Sequence, residues 1–205
     1  MSAFLGPVHF MLYNKIQRQN ELLNEIINAS EENYWVNGIA DQLKEKCGEN
    51  ETAPLETVID ESAIHNWLNN QVSIAESRMA FALKLILEKD SSLIDKVSEI
   101  FYSNGAASRL DYADIIVAEE LFNAVNMCLL DGMPCDGGIT VESNDGSEIV
   151  WSINMQVHTP FYESEGLNSQ IFLTLRDKWL QGFFAGSFNI DYARLSENTF
   201  RIMEV

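Results

Sequence analysis

The 205-residue sequence predicts an α+β protein in which N-terminal helices precede an antiparallel sheet of two hairpins, packed with a crossover helix between them. Three observations carry this prediction. Apolar residues recur at helical spacing through most of the first 132 positions. The period then changes to strict alternation at Ile149, Trp151, Ile153, Met155 and Val157. Helical spacing returns at Phe172, Leu175, Trp179 and Phe183, before a second pair of short strands.

Pro7 stands where a helix begins without losing a hydrogen bond, and Val8, Leu12, Ile16, Leu23 and Ile27 continue one face to about residue 29. Ser30, followed by Glu31 and Glu32, predicts a restart, with Trp35, Ile39 and Leu43 on one face and Gly48 as stop. Residues 1–48 are therefore expected as a helical segment and 48–54 as a linker. Residues 55–205 form an α+β domain with helices to about 132, unless the two parts are one continuous domain. Ser62 caps a long helix through Ile64, Leu68, Met79, Leu83 and Ile86 to about Lys89. A helix from Ser92 is expected to stop at Asn104-Gly105, and one from Asp111 at Asp131-Gly132.

Residues 148–157 then read as a half-buried strand, with 139–143 as its partner across Asp145-Gly146, a residue pair that tight hairpin turns prefer. A two-residue turn sets Asn144 opposite Ser147 and Met133 opposite His158. Residues 190–195 and 199–205 flank a second turn at Ser196-Glu197-Asn198.

Composition excludes several function classes. Asp and Glu number 31 against 13 Lys and Arg, a net charge of −18, which opposes phosphate-backbone binding and anionic membrane surfaces. Hydrophobic residues at 46% and charged residues at 21% place the chain among globular proteins rather than disordered ones. No apolar run approaches the roughly 20 residues of a membrane span, and residues 1–10 lack the basic start of a secretion signal. Three cysteines, Cys47, Cys128 and Cys135, suit a reducing compartment, so the expected location is cytoplasmic.

The connector from Asp131 to Gly138 mixes turn formers with a thiol and carboxylates, as a functional loop or an ordinary strand entry would. In the expected register Cys135 lies about 7 Å from His158, as a diagonal neighbour. That pairing suits a thiol nucleophile with His158 as base and Asp136 or Asp131 orienting the imidazole. It equally suits a zinc or iron site using Cys135 and His158, with His9, Asp131 or Asp136 as a third ligand. No CxxC, HxxxH, HExxH, GxGxxG, GxxxxGK[ST] or GxSxG occurs, so the familiar metal, nucleotide and serine-hydrolase devices have no sequence support.

Aromatic residues crowd the last quarter. Trp151, Phe161, Tyr162, Trp179 and Phe183 are candidate walls of a ligand pocket, with His158 and Cys135 as polar anchors, or else form a dense core or a homodimer patch.

Three short motifs follow the order of these elements: His158-Thr159-Pro160-Phe161, Gly182-Phe183-Phe184-Ala185-Gly186 and Asn198-Thr199-Phe200-Arg201-Ile202. Through them, residues 139–205 resemble the 4-vinyl (protochlorophyllide) reductase domain, whose fold is similar to that of Golgi transport-particle subunits. The resemblance implies an α+β small-molecule-binding module. A related group hydrolyses 2-aminothiazoline-carboxylate, which implies an enzyme alternative. Thr159 and Asn198 replace cysteines frequent in that family, so roles tied to those cysteines do not carry over. The expected function is a cytosolic binding or sensor domain for a small, largely apolar molecule. The alternatives are a thiol- or metal-dependent hydrolase using Cys135 and His158, and a homodimeric interaction module.

Overall fold

The computed structural model describes residues 5–205, and residues 1–4 of the N-terminal segment lie outside this range. Helix α1 spans Pro7–Glu32 and α2 spans Ile39–Cys47. The expected restart at Ser30 does not occur. Its hydroxyl is buried and accepts from Val36 N six residues on, rather than from the start of a new helix, so α1 continues for another half turn.

A four-residue helix α3, Leu55–Val58, leads to the long α4 at Ile64–Lys89. Helix α5, Leu93–Leu110, runs through the expected stop at Asn104-Gly105. Here the glycine serves packing rather than termination. A Cβ on Gly105 would fall on the Trp179 carbonyl, and one on Gly182 would fall on the Tyr102 carbonyl. Asn104 Oδ1 also accepts from Trp179 Nε1 at 2.8 Å, locking the crossing. Helix α6 is shorter than its apolar pattern suggests, Ala118–Cys128, and its first N–H donates to Glu204 Oε1 at 2.9 Å.

Strands β1 (Ile139–Asn144), β2 (Glu148–Ile153), β3 (Ile190–Arg194) and β4 (Thr199–Glu204) form one antiparallel sheet in the order β1-β2-β4-β3. The first hairpin departs from the expected register. Asn144 opposes Ile149, because Asp145 Oδ1 accepts from Ser147 N and Glu148 N at 3.0 and 2.8 Å and winds a longer turn. A bulge between Val141 and Ser143 then places Ile139 opposite Ile153.

Strand β2 also ends early. The Asn154 side chain accepts from Gln156 N, starting a single 3-10 turn at Met155–Val157, and α7, Thr159–Ser164, follows with Pro160 in its first turn. His158 is therefore at a helix start, not on a strand, and has no cross-strand partner.

The crossover is α8, Gln170–Phe184, which packs along α5 and against β3. One apolar core runs from Leu22 in α1 to Ile202 in β4. Ile149, Trp151 and Ile153 supply the buried face of β2, and Trp151 meets Phe122 of α6 and Phe200 of β4 with ring centroids 5.2 and 5.8 Å apart. A smaller cluster joins Leu12 and Ile16 of α1, Leu55 of α3, Leu68 of α4 and the connector residues Leu130 and Met133. No described helix is long and apolar enough to cross a membrane.

Candidate functional site

The connector between α6 and β1 is a tightly wound turn whose first residues point inward. Asp136 Oδ2 accepts from Met133 N at 2.8 Å, while Asp136 N donates to the Met133 carbonyl at 2.9 Å. Gly132 sits at φ +74°, and Gly138 passes so close to the Asp131 backbone that no Cβ fits there. This closure buries Leu130, Asp131 and Met133.

Asp131 is the hub of a buried charge network drawn from three elements. Arg176 of α8 approaches with both terminal nitrogens, Nη2 3.0 Å from Oδ1 and Nη1 3.2 Å from Oδ2, and Nη2 also donates to the Leu130 carbonyl at 3.0 Å. His158 Nε2 lies 3.3 Å from Asp131 Oδ1. Its other ring nitrogen, Nδ1, is 3.5 Å from Oε2 of Glu76 on α4. The imidazole is completely buried and stacks on Phe172 with centroids 3.7 Å apart, and the Arg176 guanidinium lies 4.8 Å from the same ring.

Charge counting explains the directions in which His158 and Asp131 shift. With His158 as imidazolium, two cations face two carboxylates and the network is neutral; with a neutral imidazole, it holds a net negative charge away from water. Burial alone pulls the His158 value down, but Glu76 and then Asp131 outweigh it, so it is raised. Burial likewise pushes the Asp131 carboxyl up, and Arg176 and His158 overcome this and hold it well below the usual carboxylate range.

Two cavities flank this network. The inner one, about 40 Å³, is bordered by Glu76, Tyr162, Phe172, Arg176 and Trp179. Glu76 Oε1 is buried there without a hydrogen-bond partner among the described residues, and the space suits about one water. The outer cavity, about 260 Å³, lies between α1, α6, the connector and β1. Its apolar walls include Met11, Leu12, Phe122, Met133, Ile139 and Val141, and its polar groups are Lys15, Asn126 and Asp131. Asp131 thus touches the outer cavity and anchors the network behind it.

The structure distributes the sequence-predicted residues differently from expectation. Trp151 and Phe183 are core residues bordering neither cavity, whereas Tyr162 and Trp179 border the inner one. Phe161 lies with Asp136 on a separate open groove of about 280 Å³. Cys135 is exposed, with its Sγ 3.8 Å from Asp136 Oδ1, and no hydrogen bond joins it to His158. The expected proximity depended on a strand register that the longer hairpin turn and the early end of β2 both remove. His9 is at the start of α1, where its Nδ1 accepts from Gly6 N at 2.9 Å. Among the described residues no three His, Cys, Asp or Glu side chains gather as a metal-ligand set, so the donors for zinc or iron are not assembled.

Glu76, Arg176 and Lys15 escaped the sequence reading. The first two carried a signal. Glu76 falls between Val72 and Met79 on the apolar stripe of α4, and Arg176 between Phe172 and Trp179 on that of α8. Opposite charges on two buried stripes indicate a shared buried network. Lys15 lies beside its stripe, where a lysine is ordinary.

No family model matches the chain, and no curated protein or solved structure matches it.

Proposed function

We propose that this protein is a binding domain for a small, largely apolar molecule, held in the outer cavity between α1, α6, the connector and β1. The observation that carries the reading is the lining: apolar side chains around about 260 Å³, with Lys15, Asn126 and Asp131 as the few polar groups among them. The volume equals that of about nine waters in the liquid, which matches a compact ligand of roughly ten non-hydrogen atoms. The motif resemblance over residues 139–205 points the same way, toward a small-molecule-binding module. Contact between Asp131 and the buried network provides a route by which occupancy of the cavity would be felt at α4 and α8, as a sensor requires.

The test is a ligand-observed NMR screen of fragments of about ten heavy atoms, run on the chain and on a Val141→Trp variant. Val141 is half exposed at the cavity edge, so the larger ring fills the mouth without entering the core. Binding by the chain and its loss in the variant support the proposal. No binding, or binding that survives the substitution, rejects it. The hydrolase alternative lacks comparable support, because Cys135 and His158 do not meet.

A further inference from the structure

Resting on the binding reading above, we infer that the ligand of the outer cavity is a small monocarboxylate, its apolar body against Leu12, Phe122 and Ile139 and its carboxylate paired with Lys15.

Charge placement supports this class. Among the described residues Asp131 is the one carboxylate bordering the cavity, and both its oxygens are already engaged from the inner side by Arg176, with His158 sharing one of them. Lys15 is different. It is half-buried on the same cavity and makes no ion pair or hydrogen bond with any described residue. Burial pulls its ammonium value down, only partly opposed by Asp131, as expected for a cation without a full counter-charge. With both Asp131 oxygens turned toward Arg176 and His158, Lys15 is the cation of this cavity without a partner among the described residues, and an anionic head group would supply one.

The donor set favours a carboxylate over a phosphate. Lys15 and Asn126 are the cavity's side-chain donors, one ammonium and one amide, which match a monoanion with two oxygens, whereas a dianionic phosphate is better served by several charged donors. The chain's net charge of −18 does not prevent such binding, because exposed charges beyond about 8 Å are screened at physiological ionic strength. Volume limits the body to a chain or ring of about six to nine carbons.

The experiment is isothermal titration calorimetry of the full chain with hexanoate and phenylacetate, each against its neutral isostere, hexanamide and phenylacetamide. The same titrations are repeated on Lys15→Met, which keeps most of the apolar stem and removes the charge. The acids are expected to bind at least tenfold tighter than the amides. The variant should abolish that difference while leaving amide affinity within about twofold. Equal binding of acids and amides, or an acid preference that persists in the variant, overturns the carboxylate inference and leaves the cavity reading standing. Absence of binding by all four probes overturns the carboxylate inference, and the fragment screen on the chain and the Val141→Trp variant decides the cavity reading separately. If Lys15→Met does not fold, the acid-to-amide ratio of the unsubstituted chain decides the question alone.

Discussion

Asp131 and Arg176 form a two-pronged ion pair inside the protein, with Nη2–Oδ1 and Nη1–Oδ2 separations of 3.0 and 3.2 Å and neither side chain more than 6% exposed. The pair ties the connector to the crossover helix across a gap of 45 residues. Breaking it from either side leaves an uncompensated buried charge.

Asp131→Asn and Arg176→Met are each expected to lower unfolding free energy by about 3–5 kcal/mol. The double variant should lose much less than the sum of the two, since it removes both charges together. Urea unfolding of the four proteins measures this cycle. Additive losses would show that the pair does not act as a unit.

The network also sets a pH window. His158 has a raised value, so its contribution is complete below its ordinary 6.5 and is lost as pH rises through the raised folded value. Asp131 has a depressed value, so its contribution is present above its ordinary 3.8 and is lost as pH falls through the lower folded value. These two groups therefore favour stability between about pH 4 and 6.5. Urea midpoints from pH 5 to 9 should fall on the alkaline side, and His158→Gln should flatten that decline relative to the parent. An equal decline in both proteins would mean that His158 does not titrate as the geometry requires.

The crossing of α5 and α8 predicts a sharp steric penalty. Gly182→Ala places a methyl group on the Tyr102 carbonyl, a backbone atom that cannot rotate away. A loss of about 1–3 kcal/mol or more is expected from overpacking, against a small gain from helix propensity alone. Thermal unfolding reads the sign directly, and a stabilised variant would contradict the close crossing.

The three thiols should separate by accessibility. Cys135 is exposed, Cys47 is half-buried with its thiol pushed up by burial, and Cys128 is buried with its value raised for the same reason. Iodoacetamide on the native protein should modify Cys135 first, Cys47 slowly and Cys128 only on unfolding, as peptide mass mapping would show. Cys135→Ser should change stability by less than about 0.5 kcal/mol, because its side chain leaves no cavity when shortened.

Periodicity alone determined the α+β class, the long helix ending at Lys89, the crossover helix and the two hairpins. Each is a local pattern of which residues must leave water, and such patterns are written along the chain. Glu76 and Arg176 were legible in the same way, as charges interrupting apolar stripes. Other features depended on neighbours far away in sequence. Gly105 reads as a helix stop, but α8 lies against it and converts it to a packing position. Asp145-Gly146 reads as a two-residue turn, yet the Asp145 side chain captures two backbone N–H groups and shifts the register. That shift, with the early end of β2, moved His158 from a strand beside Cys135 to a helix start between Asp131 and Glu76. The union of Asp131, His158, Arg176 and Glu76, and the placing of Lys15 on the outer cavity without a partner among the described residues, were decided only by tertiary structure. Charges separated by many residues acquire partners when packing excludes water around them, and no one-dimensional spacing records which ones will meet.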